Sequence, residues 1–95
     1  MTLQQFKETL KDDAPGGGDA ALRALWYDAK GDWDMAHEIA QAIDTKIGAW
    51  VHAYLHRKEG DATNAAYWYH RAGRTVVRDQ SLAAEWDVIV STLLA

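Results

Sequence analysis

Cysteine is absent from this chain of 95 residues, which excludes both a disulfide framework and a thiolate zinc site. Cations are in deficit. Lys and Arg number 10 against 14 Asp and Glu, leaving a formal charge of −4, and that balance argues against a phosphate-binding surface or a nucleic-acid partner. No apolar run approaches the roughly 20 residues needed to cross a bilayer. Met1–Glu8 has no cationic stretch followed by an apolar one, so neither a signal peptide nor a membrane partner is expected, and the expected setting is cytoplasmic. The single proline, Pro15, precedes three consecutive glycines, and Asp12–Gly18 reads as a break between helices. Serine occurs only at Ser81 and Ser91, neither on a Gly-x-Ser-x-Gly elbow. Gly16–Asp19 lacks the Lys-Ser/Thr of a phosphate loop and puts an acid where a phosphate would sit. No catalytic motif remains, so no enzyme activity and no cofactor are expected.

Apolar residues make up 48% of the chain, with five Trp and four Tyr, a composition that predicts one globular domain over 1–95 rather than disorder. The apolar period is helical throughout, so the expected class is all-α. Thr2-Leu-Gln-Gln5 fits a capping box before a first helix carrying Leu3, Phe6 and Leu10. Asp19 suits the cap of a second helix that buries Leu22, Leu25, Trp26 and Ala29. Lys30-Gly-Asp32 stops it and caps a third, with Trp33, Ala36, Ile39, Ala40 and Ile43 inward. A fourth places Ile47, Trp50, Val51, Tyr54 and Leu55 on one face. Gly60-Asp61 repeats the stop-and-cap signal before a fifth helix with Ala62, Ala65, Trp68, Tyr69 and Ala72. After an irregular connector, in which Val76-Val77 permits a short extended piece, Ser81 caps a last helix with Leu82, Trp86, Ile89, Val90, Leu93 and Leu94.

The two Gly-Asp junctions, Gly31 and Gly60, lie 29 residues apart, and the same offset pairs Ala24 with Ala53, Ala36 with Ala65 and Leu22 with Val51. Two helix-turn-helix units follow, each with a small residue four positions after Asp, where antiparallel helices cross closely. Lys30-Gly-Asp-Trp-Asp-Met-Ala36 resembles the turn and small-residue position of tetratricopeptide repeats. Ala65-Ala-Tyr-Trp-Tyr-His-Arg-Ala72 is similar to the second helix of Sel1-like repeats. The resemblance covers about residues 20–73, with a period shorter than the usual ~34. It implies a diverged domain in which 1–18 forms an N-terminal helix and Gly-rich loop, 19–44 the first unit, 45–73 the second, and 74–95 a connector and capping helix. The wording is also similar to that of small bacterial proteins to which no activity attaches.

In tetratricopeptide-like folds the first helices line a concave surface. Arg23, Tyr27, His52 and His56 fall outside the apolar stripes of their helices, with Arg23 matching His52 and Tyr27 matching His56 at the repeat offset. The resemblance therefore implies a non-catalytic module that docks a protein or peptide there. Tyr67, opposite the apolar face of its helix and beside His70 and Arg71, is a further contact candidate. Trp26, Trp33, Trp50 and Trp68 lie in the core phases.

The alternative is a metal- or small-ligand site: His52-x-x-x-His56 has ligand spacing on a helix, with Glu59 one turn on. His37-Glu38 opens an H-E-x-x-H pattern that Gln41 leaves unfinished. A third reading is a homodimer through Leu82, Trp86, Ile89 and Leu93, although closure of the fold by the last helix is favoured because terminal repeats require capping.

Overall fold

Side-chain caps fix where each helix starts. Thr2 caps α1 (Leu3–Glu8) in a reciprocal box: its hydroxyl accepts from the Gln5 amide at 3.1 Å, and the Gln5 carboxamide accepts from the Thr2 amide at 2.9 Å. A 3-10 turn, Thr9–Lys11, continues it. Asp19 caps α2 (Ala20–Ala29), Asp32 α3 (Trp33–Gln41), Thr45 α4 (Lys46–Glu59), Asp61 α5 (Ala62–Arg71) and Ser81 α6 (Leu82–Leu94). All residues 1–95 are described in this computed structural model. It is all-helical, with no strand, and Val76-Val77 lies in an irregular segment.

The two Gly-Asp turns match bond for bond. Gly31 and Gly60 take φ values of 88° and 90°, the left-handed region that glycine tolerates. Asp32 and Asp61 amides donate back to the carbonyls of Tyr27 and His56, both at 2.9 Å. Their carboxylates accept from Met35 and Asn64 amides, both at 3.1 Å. Each turn thus closes one helix with a Schellman motif and opens the next. Ala24, Ala53, Ala36 and Ala65 are all buried, as close helix crossings require.

Helix α4 occupies the centre, packed against α2, α3, α5 and α6. Every residue from Gly48 to His56 is buried. Helix α6 packs on α1, α2 and α4, and Trp86 and Ile89 are buried within the chain, with the Trp86 indole donating to the Leu25 carbonyl at 3.0 Å. The outward face imagined for a dimer is therefore half consumed by closure. The inward face of α2 is also turned from its expected phase: Ala21, Ala24, Leu25, Trp26 and Asp28 are buried, while Leu22 is half-buried and Ala29 exposed.

Two carboxylates go into the core with their partners. Asp28, 2% exposed, accepts from the Tyr54 hydroxyl at 2.9 Å and from Lys58 at 2.8 Å. Glu85, 1% exposed, accepts from the Tyr69 hydroxyl, from Arg57 at 2.8 Å and from the Trp50 indole at 3.3 Å. Arg57 also donates to the Gln80 carbonyl, fastening the connector. Burial and the adjacent Asp28 and Glu85 carboxylates hold both phenols well above the usual tyrosine range.

Gly48 brings the 42–45 link against α4. A Cβ there would lie 2.2 Å from the Ile43 carbonyl oxygen and 2.6 Å from its Cβ, far inside contact distance. Gly48→Ala gains at most about 1 kcal/mol of helix propensity but forces a backbone shift costing about 1–3 kcal/mol. A net loss of stability, read as a lower urea midpoint, is expected. For the raised tyrosines the neutral phenol is favoured by folding, so their contribution is intact below pH 10, the ordinary value, and is lost as pH rises above it. In an alkaline titration, phenolate absorbance from Tyr54 and Tyr69 is expected to appear only together with loss of helical circular dichroism.

Candidate metal centre

Three histidines converge where α3 crosses α4. His52 and His56 stand one turn apart on α4, their rings stacked at 4.8 Å between centroids. His37 reaches them from α3, edge-on to His52 at 4.6 Å and to His56 at 5.2 Å. The Nε2 atoms of His37 and His52 are 2.9 Å apart, so one ring donates and the other accepts. One ring nitrogen from each of the three residues lies within 4.8 Å of the other two.

Neighbouring groups hold these rings in place. Trp33, one turn before His37, stacks on it at 4.8 Å and 11°, and its indole donates to the Leu55 carbonyl on α4 at 2.8 Å. Trp68 of α5 stacks on the far face of His52 at 4.0 Å and 20°. The His56 Nδ1 donates to the Glu59 carboxylate at 2.8 Å. A carboxylate only accepts, so Nδ1 carries a hydrogen and Nε2 is the nitrogen of this ring that a metal could use. This imidazole–carboxylate pairing is the usual support for a metal-bound histidine.

Burial lowers the His52 pKa to about 4, with His37 and His56 adding to the effect. The His37 pKa is lowered by the same burial and by His56, against an opposing pull from Glu59 and Asp34. Both rings are consequently neutral at pH 7, the state a metal requires. Bonds of about 2.0–2.1 Å at a tetrahedral angle would set nitrogens about 3.3 Å apart. Accepting an ion therefore means opening the His37–His52 pair by about 0.4 Å and moving the donor ring's hydrogen to Nδ1. The donor set, free of thiolates, suits zinc and its borderline neighbours cobalt, nickel and copper.

Several expectations need correcting. His52 and His56 do not lie on an accessible face: they are 5% and 9% exposed, because α3 and α5 cover the side of α4 that the apolar stripe leaves free. Glu59 is hydrogen-bonded to His56 and is grouped with His56 and Asp61, not with His52. His37 takes the third place. It is not in a helical i, i+4 relation to another histidine, and the two rings it meets belong to a different helix. Its signal was the flank it holds beside the buried Ala36 and Ala40.

Arg23 is half-buried and donates to the Gly18 carbonyl at 2.7 Å, on a separate cavity bounded by the Gly-rich loop. Tyr27, also half-buried, sits edge-on to Trp26. The four residues expected to share one groove are thus not brought together by any one cavity. Tyr67 is 51% exposed, with the Arg71 guanidinium donating to its hydroxyl at 2.9 Å. Trp26 and Trp50 are buried as expected, and Trp33 and Trp68 are half-buried, packed against the core while also flanking the histidines.

A histidine whose folded pKa is depressed favours folding above its ordinary value and opposes it below. In metal-free protein the His52 contribution is expected to be intact above pH 6.5 and to be lost progressively toward about pH 4. Denaturation midpoints across that range check this, and His52→Gln should flatten the slope. No family model, curated protein or solved structure matches the chain.

Proposed function

We propose that this protein binds a divalent transition-metal ion through His37, His52 and His56. The carrying observation is the convergence of three imidazole nitrogens within 4.8 Å, drawn from two helices. The Glu59 bond to His56 and the neutral state of His37 and His52 support it, since each prepares a ring to donate a lone pair. The ion would tie α3 to α4 and so join the two helical hairpins.

The hairpins themselves we read as diverged tetratricopeptide- or Sel1-like units, on the matching Gly-Asp turns and buried alanine pairs. Peptide docking is the second reading, favoured by Tyr67, an exposed aromatic ring held in place by Arg71.

Calorimetric titration of tag-free protein with zinc and with cobalt tests the metal reading. One ion per chain is expected, with thermal stabilisation that grows with free metal. His37→Ala and His56→Ala should each abolish the isotherm. Glu59→Gln should weaken binding about 10–100-fold, and His70→Ala, an exposed histidine outside the cluster, should change nothing. An isotherm unaffected by His37→Ala overturns the assignment.

A further inference from the structure

The triad supplies three donors, and no fourth ligating side chain joins their mutual 4.8 Å group. Structural zinc sites close with four protein ligands, whereas three leave a position for water or an exogenous ligand. An ion held by these three donors alone would keep one position open. His52 is the triad member that also lines a cavity of about 380 Å³ between α3, the 42–45 link, α4 and α5. That volume falls in the range of small-molecule sites.

The cavity wall carries unspent positive charge. Lys46 and Arg71 both line it, with Asp44 as its one carboxylate. The molecule's four ion pairs engage Lys7, His56, Arg57 and Lys58, so neither cation has an acidic partner. Arg71 lies over the rings of Trp68, at 5.5 Å, and Tyr67, at 5.8 Å, and gives one N–H to the Tyr67 hydroxyl. That contact orients the guanidinium and leaves further donors of its planar fork free. Trp68 connects the two halves of the site, stacked on His52 and with the Arg71 guanidinium over its ring.

We propose, resting on the metal reading above, that this cavity takes a small carboxylate as the exchangeable ligand of the ion, with Arg71 and Lys46 balancing its charge. A monoanion suits the cavity better than a phosphate dianion, because the chain as a whole carries −4 and repels the higher charge more strongly. The arginine fork matches a carboxylate edge, and the Trp68 and His52 rings offer an apolar wall to its organic part.

Cobalt-loaded protein provides the test, because the visible spectrum of cobalt responds to its coordination shell. Titration with acetate and with benzoate, at constant ionic strength set by perchlorate, should give a saturable spectral change. The double variant Lys46→Gln, Arg71→Gln should raise the half-saturation concentration about tenfold or more without altering cobalt affinity, and Arg71→Lys should restore part of the loss. If cobalt binds with its spectrum indifferent to both carboxylates, or if the double variant titrates as the parent does, the carboxylate site is wrong while metal binding stands. If cobalt does not bind, both readings fall together.

Discussion

Helix α4 has no solvent face along Gly48–His56, and most of the structure answers to that constraint. A helix enclosed on several sides leaves each of its polar groups to find a partner inside the protein, since an unpaired one costs several kcal/mol. The Tyr54 hydroxyl finds Asp28, and Asp28 in turn engages Lys58. Arg57 and the Trp50 indole find Glu85, which draws Tyr69 to the same place. His52 finds His37, and His56 finds Glu59. No buried side-chain nitrogen or oxygen is left without a hydrogen bond. All of these partnerships except His56–Glu59, which stays within α4, also fix another helix, so satisfying α4 and assembling the fold are largely the same event.

The histidine cluster is the part of this network that can exchange its partners. Asp28 and Glu85 are held by oppositely charged groups on fixed helices, and breaking such a buried pair leaves a charge stranded. His37 and His52 share a single neutral hydrogen bond, worth about 0.5–1.5 kcal/mol net. Coordinate bonds to an ion would replace it with a much larger free energy, about 10–16 kcal/mol for structural zinc in small domains. The hydrogen-bonded arrangement is satisfied yet cheap to open, and the stacking of Trp33 and Trp68 holds the rings close together.

What was legible in the sequence was local. Caps at Asp19, Asp32, Asp61 and Ser81 and the turns at Gly31 and Gly60 depend on a few adjacent residues, so spacing alone revealed them. Helical phase misplaces part of the α2 core because Ala21 and Ala24 pass as neutral positions, while a buried Asp28 contradicts any polarity rule unless Tyr54 and Lys58 stand beside it. The histidines escape helical phase for a related reason. Helical phase identifies which residues oppose an apolar stripe, but not whether another helix covers that opposite side. One trace of the answer was present: Ile47–His56 contains no Asp, Glu, Lys or Arg, which is unusual for a helix with a face in water. His37 could not be joined to His52 and His56 before the crossing of α3 over α4 was known.

The placing of Trp33 and Trp68 has a consequence for light as well as for packing. Both indoles lie face to face with an imidazole of the triad, at 4.8 Å and 4.0 Å, while Trp26, Trp50 and Trp86 are buried elsewhere. An indole excited state transfers charge readily to an imidazolium or an open-shell ion in contact with it, and much less to a neutral ring. Two of the five chromophores are therefore wired to the chemistry of the histidines and three are not. The chain carries its own gauge of that site, with an internal reference in the same spectrum.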